Sequence, residues 1–157
     1  MSEVTKVSLV NEELIFLDYE ASDKEDLISK MSTYAKEKGY VKETFLEAIL
    51  KRESVFPTGL KGESLTIAIP HTDAIHVEKP GIFFVRLKDT VKFKEMGLGV
   101  DDVDVKLVFM LLIKNPKEQV NMLSNLMGIF AQEDKIQILT NSKDNNEIYE
   151  TLLDIVG

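Results

Sequence analysis

Cysteine is missing from all 157 residues, and its absence removes a disulfide framework, a thiolate nucleophile and a cysteine-type zinc site together. Histidine is scarce, with two residues, so few side chains are suited to act as nucleophiles near neutral pH. Positive charge is in deficit. Nineteen Lys and Arg against 27 Asp and Glu leave a net charge of −8, the wrong sign for a nucleic-acid partner, which needs a basic footprint. That acidity suits docking onto basic protein surfaces, where opposite charge speeds encounter, and it also serves plain solubility. No long hydrophobic run is present. The longest, Val105 to Ile113, is broken by Lys106 and falls short of the roughly 20 residues that span a bilayer, so the protein is not expected to be membrane-inserted. The start, MSEVTKVSLV, has no basic segment followed by a long apolar stretch, which points to the cytoplasm. Repeats, low-complexity segments and linkers rich in Pro, Gly or Ser are lacking too. One domain over residues 1–157 is expected, with 44% apolar residues to build its core.

The apolar pattern alternates between strand and helix. Leu14 to Leu17 reads as a short strand. Ser22 with Glu25 suggests a capping box for a helix carrying Leu27, Ile28, Met31, Tyr34 and Ala35 inward, closed by Gly39. A second helix is expected from near Val41, with Phe45, Ala48, Ile49 and finally Arg52 on its inward line. SVFPTGLKGES reads as a loop, and Thr66 to Ile69 as a short strand ending at Pro70-His71. Ile82 to Leu87 is a strand with Val91 to Phe93 as a short partner, and Val105 to Ile113 is a central strand covered on both faces. Asn115 and Pro116 start a helix whose buried stripe is expected to be Val120, Leu123, Met127 and Phe130. Two more helices fall near 133–139 and 146–155. The sum is an α/β domain, a mixed central sheet flanked by helices on both faces.

His71 is the main chemical candidate. It follows an apolar strand and a proline, at an exit where the backbone is held and the ring can face a cleft, and a neutral imidazole is a competent nitrogen nucleophile. Thr58, Gly59 and Gly62 could present hydroxyl and backbone N–H donors to an anion, and Arg52 offers the planar fork that suits phosphate oxygens. Nucleophile, cation and donor loop lie within twenty residues, which is what phosphoryl transfer asks for. Neither GxxxxGK[ST] nor a dinucleotide fingerprint occurs. His71, Asp73 and His76 could be read as a two-histidine, one-carboxylate metal site, but the spacing departs from HExxH. An extended segment would also point residues five apart to opposite faces. No metal and no cofactor is expected. Asp73 then reads as a turn cap, and His76 as a hydrogen-bonded neighbour of the active residue.

Arg52-Glu53, then Pro57-Thr58-Gly59-Leu60, then Ile67-Ala68-Ile69-Pro70-His71 resembles the signature of the fructose/mannitol-type (type-2) IIA domains of the bacterial phosphotransferase system. The stretch IPHTDAIHV, with its second histidine, is most similar to the galactitol branch. The resemblance spans nearly the whole chain. It implies a phosphocarrier that takes a phosphoryl group from the histidine protein HPr and passes it to a cysteine of a IIB partner. IIB in turn serves the membrane component IIC during sugar or polyol uptake. Carried over residue by residue, it makes His71 the phosphorylated nucleophile and Arg52 the stabilising cation, with Thr58, Gly59, Gln119 and His76 around the phosphoryl pocket. Many of these domains have a second histidine where this chain has Gln119, a donor that cannot titrate. Gln119 is expected to face the cleft and offer its amide to His71 or to the phosphoryl oxygens. A regulatory IIA-like protein, whose phosphorylation state signals to a partner, is the alternative; the lack of a DNA-binding or other output segment favours transport.

Overall fold

The apolar runs assemble into one five-stranded sheet in a computed structural model that describes residues 9–156. In chain order the elements are β1 (Ile15–Tyr19), α1 (Lys24–Glu37), α2 (Phe45–Val55), β2 (Gly59–Lys61), β3 (Thr66–Ala68), β4 (Gly81–Lys94), β5 (Asp102–Leu112), α3 (Pro116–Met127), α4 (Glu133–Asn141) and α5 (Asn145–Val156). The sheet order is β1-β4-β5-β3-β2. β1 runs parallel to β4 and β3 parallel to β5, while β4–β5 and β2–β3 are antiparallel, so the sheet is mixed.

Period-2 alternation along the two long strands divides the core. Phe83, Val85, Val108, Met110 and Leu112 pack against Leu27, Ile28, Met31, Phe45 and Ile49 of α1 and α2. Phe84, Leu107, Phe109 and Leu111 pack on the other face against Met122, Leu126, Ile136, Leu139, Ile148 and Leu152 of α3 to α5. Helices therefore cover both faces, and each fully buried Leu, Ile or Phe contributes roughly 1.5–3 kcal/mol.

Several local expectations shift. The cap of α1 is Asp23, not Ser22: its carboxylate accepts the Asp26 N–H at 2.7 Å, while Asp26 reaches back to the Ser22 N–H at 2.9 Å. Gly39 does close this segment, at φ +83°, where a side chain would strain the backbone. α2 begins at Phe45 and not at Val41, which instead bridges to Val77. Ile82 to Leu87 and Val91 to Phe93 are not separate strands but one, β4, because both segments pair with β5 across an irregularity after Arg86. The loop SVFPTGLKGES contains the three-residue strand β2, too short and too glycine-rich for its composition to reveal. Asn115 caps α3 by accepting the Lys117 N–H at 2.9 Å, with Pro116 as first helical residue. The stripe of α3 is rotated: Met122 and Leu126, with Ile129 just past the helix end, are buried, Leu123 and Phe130 pack partly buried against them as expected, and Val120 is 65% and Met127 43% exposed.

Candidate functional site

β3 and β5 are adjacent and parallel, so the segments that leave their carboxyl ends emerge on the same edge of the sheet. After β3 the chain continues through Ile69 and Pro70 to His71; after β5 it enters α3, which carries Gln119. The Leu111 N–H donates to the Pro70 carbonyl at 3.0 Å and ties the first segment to β5. Gln119 Nε2 donates to the Thr72 carbonyl at 3.3 Å and ties the second segment to the residue after His71. Of the two partners expected for it, the ring and the phosphoryl oxygens, the ring takes no hydrogen bond from it: this N–H of the amide is engaged with the backbone beside His71.

The half-buried His71 places Nδ1 2.7 Å from the Ile69 carbonyl oxygen. A carbonyl only accepts, so Nδ1 carries the proton and, in the neutral ring, the lone pair lies on Nε2. Burial lowers the His71 pKa; the bond to Ile69 opposes that shift and the positive charge of Arg52 adds to it. The ring is therefore held in its neutral, nucleophilic form at pH 7.

Arg52 lies in the last turn of α2 and stacks over Phe56, its guanidinium carbon 4.2 Å from the ring centre. The residue on the inward line with Phe45 and Ile49 is Glu53, 2% exposed, so Arg52 sits on the flank of the helix and not on its buried stripe. There it lines an open depression of about 330 Å³ with Lys51, Phe56, Thr72, Asp73 and His76. His76 Nδ1 is 2.8 Å from the Thr44 hydroxyl, and Asp73 accepts the His76 N–H through its backbone carbonyl. Among the described residues no group of three His, Asp or Glu is gathered to hold a metal ion.

Thr58 and Gly59 take a different place from the one expected. Thr58 is buried; its N–H and hydroxyl both donate to Glu53, at 2.8 Å each, and its oxygen accepts the Ile69 N–H at 3.2 Å. A Cβ on Gly59 would stand 2.7 Å from the Lys94 carbonyl oxygen and from Val103, so glycine is required there for the close approach of β2 to the β4–β5 hairpin. The Gly62 N–H is bound to the Leu65 carbonyl at 2.7 Å. These groups brace the strand that ends at His71; they do not open into the depression as a donor loop. Sequence reasoning gives Glu53 no role beyond its place in the signature, and passes over Phe56. Phe56 was detectable by helical spacing, as the fourth residue after Arg52; Glu53 is the fourth after Ile49, but its charge argues against burial.

The family described as "Phosphoenolpyruvate-dependent sugar phosphotransferase system, EIIA 2" matches residues 8–155. The galactitol-specific EIIA component of Escherichia coli K12 is 34% identical over 117 residues, which cover 74% of this chain and 77% of that protein. A mannitol-specific EIICBA component of Buchnera aphidicola is 34% identical over 146 residues, 91% of this chain but 22% of that longer protein. Among solved structures, the complex of enzyme IIA and phosphorylated enzyme IIB for mannitol from Escherichia coli superposes with a TM-score of 0.73. It shares 29% identity and covers 92% of this chain and 97% of the matched one.

Proposed function

The chain belongs to the EIIA 2 family of the phosphoenolpyruvate-dependent sugar phosphotransferase system, and from that premise we propose that it is a phosphocarrier working through His71 in polyol uptake of the galactitol type. The ring supports this most directly: Nδ1–H is spent on the Ile69 carbonyl, the lone pair is left on Nε2, and the ring feels the positive charge of Arg52. Nε2 attacks the phosphorus of a phosphohistidine on HPr; the new N–P bond forms as the donor's N–P bond breaks and its electron pair returns to the donor ring. In the second step a cysteine thiolate of IIB attacks the phosphorus, and the pair of the breaking bond returns to Nε2 of His71. Arg52 meets the charge that spreads over the equatorial oxygens in both steps. Exposed Val55 and Phe56 line the depression with apolar surface suited to a protein donor and acceptor, and the cytoplasm is where such partners would meet it. Incubation with enzyme I, HPr and phosphoenolpyruvate should load one acid-labile phosphate per chain, which added IIB should remove. A folded chain that takes up none refutes the proposal.

Two variants test the surroundings of the ring. Arg52→Lys keeps the charge but loses the planar fork and its stacking on Phe56, so transfer should slow by roughly tenfold to a hundredfold. Since Glu53, not Arg52, occupies the buried line, the melting temperature should barely move; a large loss of stability with normal transfer would make Arg52 structural. Gln119→Leu keeps the volume but leaves the Thr72 carbonyl without its donor. It should slow transfer by about 1–2 kcal/mol in activation free energy, the scale of one hydrogen bond. A rate equal to that of the unaltered protein would leave Gln119 as an ordinary helix residue.

A further inference from the structure

Glu53 takes no part in the transfer chemistry, yet its carboxyl is buried at a helix position where the same line carries Phe45 and Ile49. An apolar side chain would fill that place without desolvating a charge, so a carboxylate there has to offset its cost through what it holds. Among the described residues its two oxygens hold Thr58 alone: Oε2 accepts the Thr58 N–H and Oε1 accepts the hydroxyl. With its proton committed to Glu53, Thr58 Oγ1 is left with lone pairs and accepts the Ile69 N–H at 3.2 Å. The Ile69 carbonyl then accepts the Nδ1–H of His71 at 2.7 Å. One directed chain of hydrogen bonds runs from a buried carboxylate to the imidazole.

We propose that Glu53 is a positioning residue for His71: through Thr58 and Ile69 it aims the carbonyl that keeps the imidazole in its Nδ1–H form. The assignment rests on His71 being the phosphoryl acceptor. The coupling is positional, because the N–H and the carbonyl of Ile69 belong to different peptide planes joined at its Cα. Thr58 fixes that Cα from one side, and the Leu111 N–H holds the Pro70 carbonyl from the other. Glutamine at position 53 would keep the shape but present an NH₂ donor on one side, leaving the Thr58 hydroxyl proton unpaired or turning that hydroxyl away from Ile69. Burial pushes the carboxyl of Glu53 up to about 7, against the two bonds from Thr58 and the charges of Lys24 and Arg52. Protonation weakens one of the two anchors, so the hold on His71 tightens as pH rises through 7.

The test uses the full, unphosphorylated chain with ¹⁵N-labelled histidine, the two rings being told apart with His76→Ala. Proton–nitrogen correlations report the tautomer directly, and phosphorylation by phospho-HPr is timed on the same samples well below their melting temperatures. The unaltered chain and Thr58→Ser, which retains the hydroxyl, should both show the Nδ1–H form. Glu53→Gln and Thr58→Val should show mixed tautomers and transfer roughly tenfold more slowly, the equivalent of about one hydrogen bond. If both of those fold, retain the Nδ1–H form and transfer within about twofold of the unaltered rate, Glu53 only packs and the proposal is overturned. Should Glu53→Gln fail to fold, the Thr58→Ser and Thr58→Val pair decides, and identical tautomers in the two overturn it. A chain that accepts no phosphate refutes the phosphocarrier reading, while its tautomer spectra still decide the role of Glu53.

Discussion

His71→Ala should remove phosphate uptake from phospho-HPr altogether, while His76→Ala should retain most of it. The two histidines lie five residues apart and are held in different ways. The Nδ1 of His71 is on a carbonyl, which forces it to be a donor and leaves Nε2 with the lone pair. His76 Nδ1 faces a hydroxyl, which can donate or accept, so its tautomer is not forced. A neutral ring with its lone pair on Nε2, within the electrostatic reach of Arg52, is the arrangement that attacks phosphorus. Alanine at 71 deletes the nucleophile outright, and positioning alone cannot replace it. The fold should tolerate the change, since the lost side-chain bond to Ile69 contributes about 1 kcal/mol. The measurement is acid-labile phosphate per chain, with circular dichroism on the same sample. Full labelling of folded His71→Ala would move the nucleophile elsewhere, and loss of labelling in His76→Ala alone would move it to His76.

The sequence announced the parts of this site whose signals are local. Pro70 before His71 marks a strand exit, and Asn115-Pro116 marks a helix start, and both stand where expected because capping and proline sterics act over a few residues. What failed depends on partners outside the loop itself. Thr58, Gly59 and Gly62 form a donor-rich loop by composition, yet the N–H groups of Thr58 and Gly62 are consumed by Glu53 and Leu65, and Gly59 is there to clear Lys94 and Val103. On α2 the inward line holds at Phe45 and Ile49 but ends in Glu53 where Arg52 is expected, and on α3 it centres one residue before the expected line. At 100° per residue, a helix with apolar side chains on two neighbouring lines lets the sheet choose between them. On α2 the sheet chose the line ending in Glu53, a residue that hydrophobic patterning would never nominate for burial. Its partner Thr58 is five residues on, past the end of the helix, where no i, i+4 rule reaches.

The pH dependence of stability should single out Glu53. Its carboxyl binds a proton more readily in the folded chain than its ordinary 4.5 allows, with a pKa pushed up to about 7 chiefly by burial. Between those values the native state holds more protons than the unfolded state, so unfolding free energy falls as pH rises through that window and stays lower above it. The displacement corresponds to roughly 3 kcal/mol between pH 4.5 and 8. His71 acts with the opposite sign: its pKa lies below the ordinary 6.5, so its contribution is present above that value and is lost as pH falls through the folded pKa. Both the unaltered chain and Glu53→Gln contain His71, so comparing them removes the part of its contribution set by burial and by Arg52, which do not depend on residue 53. Urea unfolding from pH 4.5 to 8 should therefore show the glutamine variant gaining on the unaltered chain by about 2–3 kcal/mol as pH rises, whatever its offset at pH 4.5. The offset itself should be unfavourable, because glutamine leaves the Thr58 hydroxyl proton without an acceptor. Parallel stability curves for the two proteins would show that Glu53 titrates as it does in the unfolded chain and that its charge costs the fold nothing. Diverging curves, with the variant slower in transfer at the pH where it is the more stable, would mark a carboxylate that costs the fold stability in order to aim His71.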